Sequence, residues 1–380
     1  MQYLDFNTID WSGRRVLVRA DLNVPMSPSG DILDQTRLIA ILPTLKTILA
    51  SGGLITLVSH RGRPTAGQFN PDLSMAPLRP VLMKALECEV EWCPHWPYSQ
   101  PNFKETSIAL VENCRFLKGE TTGDTKLSAQ MAQLQDYYVM DAFGCAHRQH
   151  ASVAGIAQSL NHVCLGPLMQ KEYTMLDRLK EGQHRPTLLV VGGAKIASKL
   201  SVIESLSPHI DAVLFGGGVA NTCLAAQGFQ VGASLMDEGH LDSAQNLFSQ
   251  LKSRQVKVYL PDDVMVKSDL IKPVHSLLSD EAIFDIGNKT QSTYRSLILN
   301  AQTVIWMGPL GWYEQPPFDQ GSQSIAQAMI DTSAFTVLGG GDTVACFNHC
   351  FQNALNSVNW ISTGGGAFLA GLAGQLVFKQ

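Results

Sequence analysis

Thr336-Val337-Leu338-Gly339-Gly340-Gly341-Asp342-Thr343-Val344-Ala345 sets an apolar β-type run against three glycines, an acid, a hydroxyl and a segment able to continue as a helix. Glycines let backbone N–H groups approach an anion closely, and a helix start adds a positive dipole end. A carboxylate beside such a loop suits a hard cation such as Mg²⁺. Two readings fit this stretch alone. One is a phosphate cradle with a metal-side acid; the other is a tight strand-to-helix turn with a capping Asp.

The same pattern recurs through the second half. Leu188-Leu189-Val190-Val191 runs into Gly192-Gly193-Ala194-Lys195, with Lys199 about one helical turn on. Ala212-Val213-Leu214-Phe215 runs into Gly216-Gly217-Gly218. Val304-Ile305-Trp306-Met307 runs into Gly308-Pro309-Leu310-Gly311, with Glu314 close behind, and Ile361-Ser362 runs into Thr363-Gly364-Gly365-Gly366. Helix-like segments such as 325–329 alternate with these strands. That alternation predicts a doubly wound, Rossmann-like parallel sheet whose carboxyl edge is a row of glycine loops. With Lys195 and Lys199 as cations, the row describes a nucleotide phosphate site. Neither GxxxxGK[ST] nor GxGxxG occurs, so it is not a Walker loop, and a nicotinamide enzyme lacks its fingerprint.

The first half has strands that end in basic residues. Arg15-Val16-Leu17-Val18-Arg19-Ala20 leads to Asp21-Leu22-Asn23-Val24-Pro25, which places Asp21 and Asn23 at a strand's carboxyl end. Thr36-Arg37 opens a helical pattern over 38–49; a cation there opposes the dipole and points to an anionic ligand. Leu54-Ile55-Thr56-Leu57-Val58 is followed by Ser59-His60-Arg61-Gly62-Arg63-Pro64, strand 108–111 by Arg115, and strand 137–141 by His147-Arg148-Gln149-His150. Arg37, His60, Arg63, Arg115 and Arg148 thus converge on the carboxyl edge of one parallel sheet, where Arg forks match phosphate and carboxylate. Gly166-Pro167-Leu168 then opens a helix that ends near Gly182 and joins two domains.

Composition narrows the class. A chain of 380 residues builds two domains, and a formal charge of −5 argues against a nucleic-acid binder. No apolar run approaches the roughly 20 residues needed to span a bilayer. Met1-Gln2-Tyr3-Leu4-Asp5 has no signal-peptide character. The eight cysteines form no CxxC pair and no zinc spacing, and read as reduced thiols of a cytoplasmic protein. No pattern demands a partner chain, so a monomer is expected.

Arg19-Ala20-Asp21-Leu22-Asn23-Val24-Pro25, Ser59-His60-Arg61-Gly62-Arg63-Pro64, Asp141-Ala142-Phe143-Gly144-Cys145-Ala146-His147-Arg148, Gly192-Gly193-Ala194-Lys195, Trp306-Met307-Gly308-Pro309 and Gly339-Gly340-Gly341-Asp342-Thr343 resemble the phosphoglycerate kinase family, in its bacterial form. The resemblance covers nearly the whole chain. It implies two Rossmann-like domains facing across a cleft and closing over their ligands. The domains would be 1–166 for 3-phosphoglycerate or 1,3-bisphosphoglycerate and 185–380 for ADP or ATP with Mg²⁺, joined by a helix over 167–184. It implies a glycerate site at Asp21, Asn23, Arg37, His60, Arg61, Gly62, Arg63, Arg115 and Arg148. The nucleotide would be held by Gly193, Lys199, Gly217, Pro309, Glu314, Gly340, Gly341, Asp342 and Thr343, with Asp342 serving the metal. Arg37, Lys195, Gly341 and Gly366 would stabilise the transferring phosphoryl group.

Three positions depart from the family pattern. Met307 stands where Asn is usual beside the nucleotide, and Arg61 replaces an apolar residue. The C-terminal segment that packs back on the first domain is expected to be missing. The first and last of these are what a non-catalytic metabolite sensor on the same fold would rest on.

Overall fold

The computed structural model describes residues 3–27, 30–182, 184–267, 270–362, 364 and 366–378. They divide into two units, Met1–Thr174 with Leu376–Gln380, and Met175–Gln375.

In the first unit β1 (Arg15–Ala20), β2 (Leu54–Val58), β3 (Glu91–Cys93), β4 (Ile108–Val111), β5 (Tyr137–Asp141) and β6 (Val163–Leu165) form one sheet in the order β3-β4-β2-β1-β5-β6. Every pairing is parallel; Leu17 stands opposite Thr56 on one side and Tyr138 on the other. Apolar runs such as LITLV are what a sheet covered on both faces requires. Val16, Val18 and Ala20 pack with Leu38, Ile41, Leu45 and Ile48 of the helix Thr36–Ala50. That burial carries the helix through Pro43, whose ring removes one backbone donor. The loops after β1, β2, β4 and β5 therefore share one edge.

In the second unit β7 (Thr187–Val191), β8 (Ala212–Phe215), β9 (Lys257–Tyr259), β10 (Asp263–Val266), β11 (Ile271–Pro273), β12 (Ile283–Ile286), β13 (Thr303–Met307), β14 (Phe335–Gly339) and β15 (Trp360–Ser362) form two sheets. The larger is parallel, in the order β15-β14-β13-β7-β8-β9. A small antiparallel sheet, β11-β10-β12, lies over its own core of Leu224, Val231, Val264, Val266, Val274 and Leu277. The glycine-loop reading does not anticipate this sheet. In both large sheets the chain leaves the central strand (β1 or β7) to one side first and to the other later.

The helix Pro167–Glu181 crosses the division between the units. The expected loss of the C-terminal return is corrected here: 376–378 belongs to the first unit. Val377 N donates to Ala146 O at 2.9 Å, Tyr173 Oη donates to Phe378 O, and the Tyr3 and Phe378 rings lie 6.0 Å apart.

Candidate active site

At the carboxyl edge of the first sheet, side chains bind the loops to one another. Arg37 Nη1 lies 3.3 Å from Asp21 Oδ1 and donates to Asn23 O at 2.7 Å. These contacts offset the unfavourable cation at a helix start. Asn23 Oδ1 accepts from Gly62 N at 2.9 Å, and Arg115 Nη1 donates to Gly62 O. Arg115 Nε is buried without a partner among the described residues. Arg148, whose charge bears on both Arg115 and His60, places Nη1 3.8 Å from Cys145 Sγ. The structure thus brings together Asp21, Asn23, Arg37, His60, Gly62, Arg115 and Arg148. Arg63 is exposed on the same loop. The Arg61 guanidinium turns aside, donating to Ser74 O at 2.8 Å near Asp72 and Glu112.

Beneath this layer lies a residue the sequence reading did not place in the site. Arg19 is 1% exposed. It donates to Ala20 O, to Ser152 Oγ at 3.1 Å and to His60 Nδ1 at 3.1 Å. Ser152 Oγ in turn donates to Glu120 Oε1 at 2.6 Å, so a buried acid answers the buried guanidinium. An arginine inside an apolar strand was the available signal. A guanidinium only donates, so His60 Nδ1 accepts and Nε2 carries the proton. Burial, then the charges of Arg19, Arg115 and Arg148, hold the His60 pKa far below the ordinary imidazole range. His60 is therefore a neutral donor. Burial and the same arginines lower His150 to about 4, although Glu120 Oε1 lies 3.7 Å away. Three cations outweigh one acid already bonded to Ser152.

The second unit holds a cavity of about 740 Å³ at the carboxyl edge of its parallel sheet. Gly193, Gly217, Pro309, Glu314 and Asp342 line it, with an apolar wall that includes Leu235, Val264, Phe284 and Leu310. Here main chain binds the loops. Gly192 N donates to Met307 O at 2.9 Å, Gly193 N to Pro309 O at 2.7 Å and Gly217 N to Leu310 O at 2.8 Å. A Cβ on Gly192 or Gly308 would collide with the other's loop, so both positions need glycine. Gly340 has φ +94°, and nothing lies within 4 Å of a Cβ placed on Gly341. Gly341 opens the helix Gly341–Cys350 and is exposed, so its turn of backbone amides meets open space. Thr343 is buried; its hydroxyl accepts from Gly308 N at 2.8 Å and donates to Gly339 O at 2.7 Å. That side chain ties two loops together.

Asp342 is exposed and its charge reaches Lys199, whose pKa burial lowers against that attraction. Burial, then Glu314, raises the Tyr313 phenol beside the same group of acids. Lys195 is exposed and lies in the field of Asp237. Gly366 opens the short helix Gly366–Leu372; Thr363 and Gly365 of that loop lie outside the described residues. The expectation for Met307 is corrected. Its side chain is fully buried, next to Gly339, and is not part of the cavity wall. Among the described residues no group of three or more His, Cys, Asp or Glu is gathered to hold a metal. One carboxylate beside phosphate-sized loops still suits Mg²⁺, which keeps waters and takes phosphate oxygens for most of its shell.

Two parallel α/β sheets, one edged with arginines and one with glycine loops, define a phosphotransferase of the kinase class. The family model for phosphoglycerate kinase matches residues 6–375, and this chain belongs to that family. It is similar to the structure of phosphoglycerate kinase from Coxiella burnetii, with 38% identity and a TM-score of 0.89, covering 98% of this chain and 96% of that one. Phosphoglycerate kinase from Pyrococcus horikoshii OT3 is 29% identical with a TM-score of 0.79, over 98% and 96% of the two chains. No described helix is long and apolar enough to cross a membrane.

Proposed function

We propose that this glycolytic kinase transfers a phosphoryl group reversibly between 1,3-bisphosphoglycerate and MgADP, giving 3-phosphoglycerate and MgATP, as a cytoplasmic monomer. One observation carries the reading: a cluster of Arg and neutral His, and a cavity walled by glycine loops, occupy equivalent edges of two sheets in one chain. We assign residues 1–166 to the glycerate ligand, 185–380 to the nucleotide and 167–184 to their connection.

A terminal phosphate oxygen of ADP attacks the acyl phosphate. The bond from phosphorus to the acyl oxygen breaks, and its electron pair leaves as the carboxylate of 3-phosphoglycerate. No proton moves, so no catalytic base is needed, and a histidine held neutral fits a donor's role. Asp21, Asn23, Arg37, His60, Arg63, Arg115 and Arg148 orient the glycerate ligand, while Arg61 and Gly62 shape its loop. Gly193, Lys199, Gly217, Pro309, Glu314 and 340–343 hold the nucleotide. Arg37, Lys195 and the amides at Gly341 and Gly366 neutralise the equatorial oxygens of the moving group. Asp342 would hold Mg²⁺ on the nucleotide, where the ion screens phosphate charge. Closure of the domains over both ligands excludes water, which would otherwise accept the phosphoryl group.

A coupled assay of ATP formation from 1,3-bisphosphoglycerate and MgADP tests this. Turnover at enzyme rates is expected. Binding of both ligands without ATP formation would instead make the chain a sensor.

A further inference from the structure

Asp141 ends β5, is 1% exposed, and is used by none of the chemistry above. Its two carboxylate oxygens hold different helices. Thr44 Oγ1 donates to Oδ2 at 2.5 Å, and Met169 N donates to Oδ1 at 3.0 Å. Thr44 is fully buried on the helix Thr36–Ala50, about two turns beyond Arg37 and on the same face. Met169 N is one of the amides left without an intrahelical acceptor in the first turn of the helix Pro167–Glu181. A Cβ on Gly166 would fall inside the Asp141 carboxyl group, so the chain is glycine where the clamp closes. The segment continuing from Asp141 carries Arg148 and His150.

We propose that Asp141 is a positioning residue: its carboxylate locks the Arg37 helix to the start of the connecting helix, so that the connecting helix sets where the Arg37 guanidinium stands. This rests on the assignment of Arg37 to the transferring phosphoryl group. Of the two partners, Thr44 is the cleaner probe. Thr44→Val keeps shape and removes the donor, Thr44→Ser keeps the donor, and Asp141→Asn keeps size and removes the charge.

In the full chain, Thr44→Val and Asp141→Asn are expected to lower kcat about tenfold. The Kd for 3-phosphoglycerate from calorimetry should stay within about twofold, and Thr44→Ser should restore kcat. The double variant should cost no more than the worse single one, because both changes open one clamp. Unchanged kcat per folded molecule in Thr44→Val, with only a lower Tm, overturns the proposal. So does equal weakening of kcat and of 3-phosphoglycerate binding. Arg37→Ala, run alongside, separates the two claims. Full turnover in Arg37→Ala would remove the role of Arg37 itself, whereas a crippled Arg37→Ala beside a normal Thr44→Val removes only the clamp.

Discussion

The two parallel sheets each extend to both sides of a first, central strand, and they differ in how their working loops are held. In the first unit, side chains do the holding: Arg19, Asn23, Asn113 and Arg115 bond loop to loop. In the second, main chain does it, through amides at 192–193 and 217 and carbonyls at 307, 309 and 310. A site for a small polyanion needs cations, and their long side chains also serve as ties. A site for nucleotide phosphates needs exposed amides. The loops presenting those amides must approach until only glycine fits between them.

The sharpest break of this contrast is to remove the cations proposed to neutralise the transferring phosphoryl group. Arg37→Ala and Lys195→Ala should each lower kcat by about 10²-fold or more. Steady-state rates near the parent's would contradict their placement. Next in size is Thr343, whose side chain ties two of the glycine loops. Thr343→Val should destabilise the second unit by about 2 kcal/mol, read from urea unfolding, because Gly308 N loses a buried acceptor.

A smaller effect follows from charge crowding on the basic edge. His150 has a pKa lowered to about 4 in the folded chain, against an ordinary value near 6.5. The unfolded chain therefore binds the extra proton first. The stability tied to neutral His150 is full above about pH 6.5 and lost as pH falls towards 4. His150→Gln should flatten the fall of the urea midpoint across that window. An identical slope in the variant would place the titration elsewhere. The smallest effect is expected at Met307. Since it is buried and off the cavity wall, Met307→Asn should leave nucleotide KM within about twofold and instead lower Tm by burying an amide.

The same contrast explains what could be read from sequence. Arginines just past apolar runs, and glycines just past apolar runs, are visible as residue types at strand ends, and they located both edges. Arg19 was quoted as part of a strand and missed as part of the site, because only the fold shows its guanidinium turned under His60. Arg61 looked like one more substrate cation, yet Ser74 O holds it aside. Met307 was judged by its place in a motif, whereas strand alternation decides which way it points. The return of 376–378 to the first unit rests on main-chain bonding to Ala146, which leaves no mark on composition.

Calorimetric titration of Asp342→Ala, with MgADP and with 3-phosphoglycerate in turn, tests the division of labour most directly. The account predicts that MgADP affinity falls at least tenfold, about 1.4 kcal/mol, while 3-phosphoglycerate binds as to the parent. Equal loss of both ligands, or unchanged MgADP binding, would contradict it.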